Sequence, residues 1–217
     1  MSDDFSTSGT LAKAIPGFQP RDAQIKMSQA IDRVIEHQQQ LVVEAGTGTG
    51  KTYAYLVPAL RSGKKVIIST GSKALQDQLY HRDLPTIIDA INYDGNIALL
   101  KGRSNYLCLE RLDQQALGGG SLEPEILSSV VRIRSWSIET ESGDVSSCHG
   151  ISEDHAVWPL VTSTNDNCLG SDCPRYKECF VLKARRKALD ADIVVVNHHL
   201  FMADRVVKDT GFWRIDP

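Results

Sequence analysis

Residues Ala45-Gly46-Thr47-Gly48-Thr49-Gly50-Lys51-Thr52 place three glycines, a lysine and a threonine in one short turn, which follows the apolar run Leu41-Val42-Val43 with Glu44 between. The pattern predicts a buried strand, a glycine-rich loop and a helix opening near Lys51. In that arrangement successive backbone N–H groups and a helix N-terminus aim at one point, which suits the oxygens of a triphosphate. Lys51 then reaches the β- and γ-phosphates of ATP, and the Thr52 hydroxyl reaches Mg²⁺. The plain alternative is a ligand-free turn, because glycine is the default wherever φ is positive. A chance match must also set Lys-Thr at the right offset between a strand and a helix, which argues against it.

The rest of the chain repeats the strand-then-helix rhythm. Ile15-Pro16-Gly17-Phe18-Gln19-Pro20-Arg21 reads as a turn, and Asp22 as the cap of a helix carrying Ile25, Met27, Ala30, Ile31, Val34 and Ile35. The helix after the glycine loop runs to Leu60, with Pro58 expected to bend or shorten it. Val66-Ile67-Ile68-Ser69 is a second strand, followed by an amphipathic stretch that sets Leu75, Gln76, Leu79 and Tyr80 on one face. Ile97-Ala98-Leu99-Leu100 and Ile193-Val194-Val195-Val196 are further strands, the last of the fully apolar, parallel-sheet type. Between about residues 109 and 180 the pattern breaks, with Gly118-Gly119-Gly120, scattered polar residues and no strand period. The fold class is therefore α/β, a parallel P-loop NTPase (RecA-like) sheet with an inserted, mostly helical or loop subdomain.

Composition narrows the function classes. At 217 residues, 41% hydrophobic and 24% charged, the chain can bury a core. Its net charge of −3 offers no global positive field, so any nucleic-acid site has to be local. The stretch from Met1 to Gly9 is acidic and polar where a secretory signal would be basic and then apolar, and it reads as a flexible lead. No apolar run is long enough to span a bilayer, which predicts a soluble, cytoplasmic protein with no membrane partner. In a reducing compartment, clustered cysteines bind metal more readily than they form disulfides.

Cys168, Cys173 and Cys179 are separated by four and five intervening residues, and Cys108 lies at the opposite border of the inserted region. Four thiolates can converge on one centre. A cubane takes four and tolerates wider loops than the Cys-x-x-Cys knuckle usual for zinc, so the spacing favours 4Fe-4S over zinc, with independent structural cysteines as a third reading. Cys148, beside His149, is the competing ligand and otherwise a spare thiol. From Arg175 to Lys187 the bases Arg175, Lys177, Lys183, Arg185, Arg186 and Lys187 stand against the single acid Glu178. Such a stripe is either a solvated helix face with core aromatics or a track for single-stranded DNA, with Tyr176 or Phe180 available for stacking.

Taken together, Glu44 to Thr52, Ser69-Thr70 with Leu75-Gln76-Asp77-Gln78-Leu79, Lys101-Gly102-Arg103-Ser104-Asn105-Tyr106-Leu107-Cys108, the cysteine triplet and Val194-Val195-Val196-Asn197-His198-His199-Leu200 resemble the iron-sulfur superfamily 2 DNA helicases of the DinG/XPD-like family. The likeness runs from about Leu11 onward. It implies an ATP-dependent 5′-to-3′ DNA helicase of replication and repair, with ATP, Mg²⁺ and a 4Fe-4S cluster held by Cys108, Cys168, Cys173 and Cys179. It makes Ala45, Gly46, Thr47, Gly48, Thr49, Gly50, Lys51 and Thr52 the nucleotide loop, with Lys51 and Thr52 catalytic. Gln24 becomes the adenine-sensing glutamine, although by residue chemistry alone it reads as a solvated helix residue. Thr70 becomes a DNA-phosphate contact, where residue chemistry alone reads a strand-end turn. Arg175, Lys177, Lys183, Arg185 and Arg186 become DNA contacts. The implied partners are single-stranded or forked DNA and a replication-machinery protein such as the DNA polymerase III chi subunit.

The resemblance divides the chain into a lead (1–14), the first part of the motor domain (15–107), the cluster domain (108–180) and a return to the motor domain (181–217). It departs from the family in one respect. The Asp-Glu-Ala-His box, whose carboxylates orient Mg²⁺ and the attacking water, would follow the Asn197-His198 strand, and the chain ends first. The chain is therefore expected to be an N-terminal part that cannot hydrolyse ATP alone. A non-catalytic module binding nucleotide, cluster and single-stranded DNA is the alternative. A P-loop metabolic kinase is a third reading that leaves the segment from Lys101 to Cys108 without a role.

Overall fold

The computed structural model describes residues 3–117 and 123–206. Gly118-Gly119-Gly120 and the end of the 181–217 segment lie outside the described residues. The chain divides into two compact units, one from residues 1–99 with 190–217 and one from Leu100–Leu189. The second encloses the whole 108–180 span.

The first unit is α/β, with a three-stranded parallel sheet consistent with a RecA-like fold. Its strands are β1 (Val66–Thr70), β2 (Ile97–Leu99) and β3 (Ile193–Asn197), in the order β1-β3-β2. Val66 and Ile97 both lie opposite Ile193, so the last strand in sequence is the central one. That position explains its composition, because Ile193, Val194, Val195 and Val196 are all buried. Helices α1 (Thr10–Ala14), α2 (Asp22–Glu36), α3 (Lys51–Arg61), α4 (Lys73–Gln78) and α5 (Leu84–Ile91) complete the unit up to β2. Leu56, Leu79, Leu84 and Ile87 join Ile193 and Val195 in its core.

Several sequence expectations change here. Leu41-Val42-Val43 takes no part in the described sheet, and its side chains are 40%, 97% and 41% exposed. A strand exists only through its partners, and neither edge strand of the described sheet, β1 or β2, pairs with this segment. Residues 3–14, expected as a flexible lead, form a short turn and α1. Phe5 and Leu11 enter the core, and buried Asp4 accepts from Arg61 at 3.1 Å. Asp22 is the first helical residue of α2, with Arg21 at the cap position. Pro58 is buried inside α3, which runs on to Arg61 without shortening. Leu75 is 46% exposed while Gln76 is fully buried, its amide donating to the Val195 carbonyl. Gln76 and Leu79 keep the predicted inward face, with Tyr80 half-buried, and Leu75 alone leaves it; beyond α4, residues Leu79–Asp83 wind as a wide π-type turn. Pro85, at the start of α5, lacks an N–H to continue regular helical bonding back into that turn.

The second unit is helical, built from α6 (Leu109–Leu117), α7 (Pro124–Glu139), α8 (Trp158–Val161) and α9 (Phe180–Asp190, whose last residue falls in the first unit). Leu107, Leu112, Ile133, Val157, Val161 and Phe180 are among its core residues, and Trp136 meets Trp158 edge-on at 6.2 Å. Gly143 sits at φ 64°, where a Cβ would stand 2.3 Å from the Phe180 ring. Cys108 is placed by its own backbone, whose N–H donates to the Val161 carbonyl at 2.8 Å. At the unit's entrance the Lys101 ammonium, its side chain 3% exposed, pairs with Asp144 at 2.8 Å and donates to Ser146. After these helices the chain returns through β3 to α10 (His198–Val206) in the first unit. Among the described residues no helix is long and apolar enough to cross a membrane.

Removing one partner of a buried pair strands the other charge at a cost of about 3–5 kcal/mol. Lys101→Met should therefore lower the stability of the second unit by about that amount in chemical denaturation. A loss below about 1 kcal/mol would show that Asp144 finds other compensation.

Candidate functional site

The glycine loop leads directly into α3. Gly48 and Gly50 hold φ 75° and 79°, left-handed values that L side chains rarely adopt. Gly50 is the residue before the helix, and its carbonyl accepts the Ala54 N–H at 3.1 Å as the first helical rung. Lys51 folds back over the loop, its ammonium donating to the carbonyls of Ala45 at 2.7 Å and Gly46 at 2.6 Å. The Thr49 hydroxyl donates to the Gly46 carbonyl at 3.0 Å and tightens the same turn. Gly46, Thr47 and Gly48 are exposed and Ala45, Thr49 and Gly50 half-buried, so the loop is open to solvent. Burial, with the Asp83 charge, pushes the Tyr55 phenol above its ordinary pKa, and the neighbouring Thr52 pulls it the other way. The arrangement is an exposed anion cradle with a lysine at its mouth and a helix N-terminus behind it.

Gln24 is not solvated. It is 4% exposed, and its amide nitrogen donates to the Gly50 carbonyl at 3.0 Å. One helical turn from Arg21, a polar residue on an otherwise mixed face carries no sequence signal of burial, and only the approach of the glycine loop reveals it. Thr70 is 4% exposed, and its hydroxyl donates to the Ser72 carbonyl at 3.2 Å. Nearby, the Ser69 hydroxyl and His198 Nδ1 lie 2.6 Å apart and tie the ends of β1 and β3 together, a contact the sequence did not announce.

In the second unit Cys108, Cys168, Cys173 and Cys179 line one cavity of about 280 Å³. Cys148 does not line it and is 3% exposed in the hydrophobic core. Burial pushes the Cys108 thiol above its ordinary pKa and the other three cavity sulfurs push the same way, against a backbone hydrogen bond with Arg111 that pulls it down. Cys168 is held from two sides, by Arg103 Nη1 at 3.0 Å and by the Gly170 N–H at 3.4 Å. Both donors suit a sulfur carrying negative charge. Arg111 and Arg175 also line the cavity, and the buried Nε atoms of Arg103, Arg111 and Arg175 have no hydrogen-bond acceptor. Among the described residues, no three His, Cys, Asp or Glu side chains gather as a site for a single metal ion. Four sulfurs lining one cavity, with guanidinium groups beside them, are a donor set whose chemistry would suit an anionic iron-sulfur cluster.

The basic stripe divides. Lys177, Lys183, Arg185, Arg186 and Lys187 are exposed. Arg175 is half-buried and committed to Glu178 at 3.1 Å and Asp113 at 3.6 Å. Phe180 is 4% exposed in the core, with the Lys183 ammonium 5.3 Å from its ring centre, so it cannot serve as a stacking platform. An aromatic that opens an amphipathic helix on its buried side is core, and Tyr176, 38% exposed, keeps the accessible ring.

Residues 25–116 match the DEAD/DEAH box helicase family. The chain is 69% identical over its full length to the ATP-dependent DNA helicase YoaA of Escherichia coli, covering 34% of that protein. It is 54% identical over 98% of its length to the protein of the same name in Haemophilus influenzae, covering 33% of it. To the ATP-dependent helicase DinG of Mycobacterium tuberculosis it is 37% identical over 91% of its length, covering 33% of it. The chain is thus similar over nearly its whole length to the YoaA and DinG helicases, and residues 25–116 carry the DEAD/DEAH box helicase match. It spans about a third of the length of the curated relatives it matches.

Gly50→Ala tests the loop geometry. An alanine there must hold φ 79° with its Cβ 2.3 Å from the Gln24 amide. The left-handed conformation alone costs about 1–2 kcal/mol. Thermal unfolding of the first unit should shift down accordingly, and an unchanged midpoint would mean that the loop relaxes freely.

Proposed function

We propose that the full-length protein is an ATP-dependent DNA helicase of 5′-to-3′ polarity, acting in the cytoplasm in DNA replication and repair, and that this chain supplies its nucleotide loop and a cluster-bearing unit. The observation that carries the reading is the seating of Lys51 inside a loop whose glycines hold the positive φ values that a phosphate cradle requires. The names of the YoaA and DinG relatives reported above, ATP-dependent helicases, support it.

On this reading Lys51 exchanges the Ala45 and Gly46 carbonyls for the β- and γ-phosphate oxygens of ATP. Thr52 offers its hydroxyl to Mg²⁺, and the N–H groups opening α3 hold the remaining phosphate charge. The loop thereby fixes the triphosphate and stabilises charge at the transferred phosphate. Gln24 lies against this loop, in keeping with a role at the nucleotide. Cys108, Cys168, Cys173 and Cys179 would hold a 4Fe-4S cluster, with Arg103 donating to the Cys168 sulfur. When bound, the cluster supplies a rigid cross-link between the start and the end of a long chain excursion.

Lys177, Lys183, Arg185 and Arg186 then present exposed charge to the phosphates of single-stranded or forked DNA, with Tyr176 offering a ring to a base. Arg175 contributes less, since Glu178 and Asp113 already neutralise it. Thr70 reaches DNA only if its hydroxyl leaves the Ser72 carbonyl, and the Ser72 side chain already caps α4. No surface among the described residues points to the polymerase III chi subunit, so the partner proposed here is DNA alone.

In the full-length protein, Lys51→Ala should abolish ATP turnover stimulated by single-stranded DNA while leaving DNA binding within about twofold, because the charge at the transferred phosphate is lost and the basic stripe is not. Turnover that ignores DNA in the unmodified protein would favour a metabolic kinase, and turnover surviving the substitution would reject the loop assignment.

Iron and acid-labile sulfide measured on protein purified without oxygen test the second unit. Near-stoichiometric values of about four each are expected, falling to near zero in Cys168→Ser and staying unchanged in Cys148→Ser. Zinc in place of iron, or loss on changing Cys148, would overturn the ligand set.

A further inference from the structure

The buried glutamine of α2 and the last glycine of the phosphate loop are joined by a contact that has a consequence for the loop itself. We infer that Gln24 is a positioning residue that latches the peptide between Gly50 and Lys51, and so presets the phosphate cradle whatever base the nucleotide carries. The inference rests on the nucleotide-loop reading above and gives Gln24 a role distinct from reading adenine.

The Gly50 carbonyl accepts two hydrogen bonds, one from the Ala54 N–H at 3.1 Å and one from Gln24 Nε2 at 3.0 Å. The first is the ordinary opening rung of α3. The second comes from a side chain 26 positions earlier, carried by a different helix. In a trans peptide the C=O and the following N–H point in opposite directions. Pinning the Gly50 oxygen toward Gln24 and Ala54 therefore aims the Lys51 N–H the other way, to the side on which the loop's amides present themselves to an anion.

The packing is specific. Gln24 Nε2 occupies the space where a Cβ on residue 50 would stand, 2.3 Å away, so only glycine admits the contact. Gly50 needs restraint, because at φ 79° it is in a region that glycine enters and leaves freely. Lys51 anchors the opposite end of the loop through Ala45 and Gly46, and Thr49 closes on Gly46. None of those bonds fixes the Gly50 peptide, which leaves Gln24 as the side chain that does.

The remaining amide atom also bears on this reading. Gln24 Oε1 is buried and has no hydrogen-bond donor. A side chain kept at a buried position with one unsatisfied end contributes through its other end. Replacing it with an apolar residue of similar size removes the latch and the unpaired acceptor together, and should leave the fold intact.

The test uses the full-length protein with Gln24→Leu, and measures binding of Mg²⁺-ATP and of Mg²⁺-tripolyphosphate, which carries no base. Thermal unfolding is followed in parallel, with Lys51→Ala as the reference for loss of the cradle. A latch predicts an unfolding midpoint at or above that of the unmodified protein. It also predicts affinities for both ligands lowered by a similar factor of about five to ten, the worth of one hydrogen bond. Loss confined to ATP, with tripolyphosphate bound as before, would overturn the latch and make Gln24 a reader of the base. Unchanged affinity for both ligands in Gln24→Leu, with Lys51→Ala weakened, would also overturn it. Unchanged affinity in both variants would overturn the nucleotide site itself, and the latch with it.

Discussion

Parallel pairing on both edges of β3 is the constraint on which the architecture depends. Ile193 faces Val66 on one side and Ile97 on the other, so a strand entering after residue 190 completes a sheet begun more than a hundred positions earlier. Such pairing is slow and costly to close, since loop entropy must be met before any ladder bond forms. Two features offset it. The Val/Ile run of β3 is buried throughout, and Asn96 and Asp192 clasp the strand ends through an Asn96 N–H to Asp192 carboxylate bond at 2.8 Å and an Asp192 N–H to Asn96 carbonyl bond at 2.9 Å. With its ends tied in this way, the chain between them is free to form a unit with a core of its own.

That freedom shows in how differently the two candidate sites are built. The nucleotide loop is a local device. Its glycines, lysine and threonines lie within eight consecutive residues, and among the described residues the distant contributor to its hydrogen bonds is Gln24. The cysteine cavity is non-local, since Cys108 is delivered by a backbone bond to Val161 while the triplet arrives from a loop of short turns. Arg103 and Arg111 bring positive charge to this partly buried space, Arg103 donating to the Cys168 sulfur, while Arg175 is paired with Asp113 and Glu178.

The difference between local and non-local construction also explains what could be read from the residues. The loop, α3 and strands β1, β2 and β3 were legible because glycine spacing and apolar β-branched runs act over a few positions. The sharing of one cavity by Cys108, Cys168, Cys173 and Cys179, apart from Cys148, followed their family pattern, and the core burial of Cys148 supplies the physical reason for its separation. Leu41-Val42-Val43 misled because three apolar residues do not show whether a neighbouring edge is available. Residues 3–14 misled because a polar composition hid the two anchors, Phe5 and Leu11. Gln24 was invisible because its partner, the Gly50 carbonyl, is brought in from far along the chain, and hydrophobic periodicity counts such an amide as polar and assigns it to water. Gln76 was placed on the inward face with Leu79, and only its partner, the Val195 carbonyl, was beyond the sequence.

Separate cores imply separate sensitivities. In the proposed reading, the free energy of cluster binding is part of the folding free energy of the unit that holds the four cysteines, because the unfolded chain has no preformed site. The first unit draws its stability from β3 and the helices packed around it, none of which carries a cavity cysteine. Loss of iron should therefore loosen residues 100–189 while the nucleotide loop keeps the geometry set by Gly48, Gly50 and Lys51. On this reading, nucleotide binding and cluster content are separable properties of one chain, each set by a core of its own.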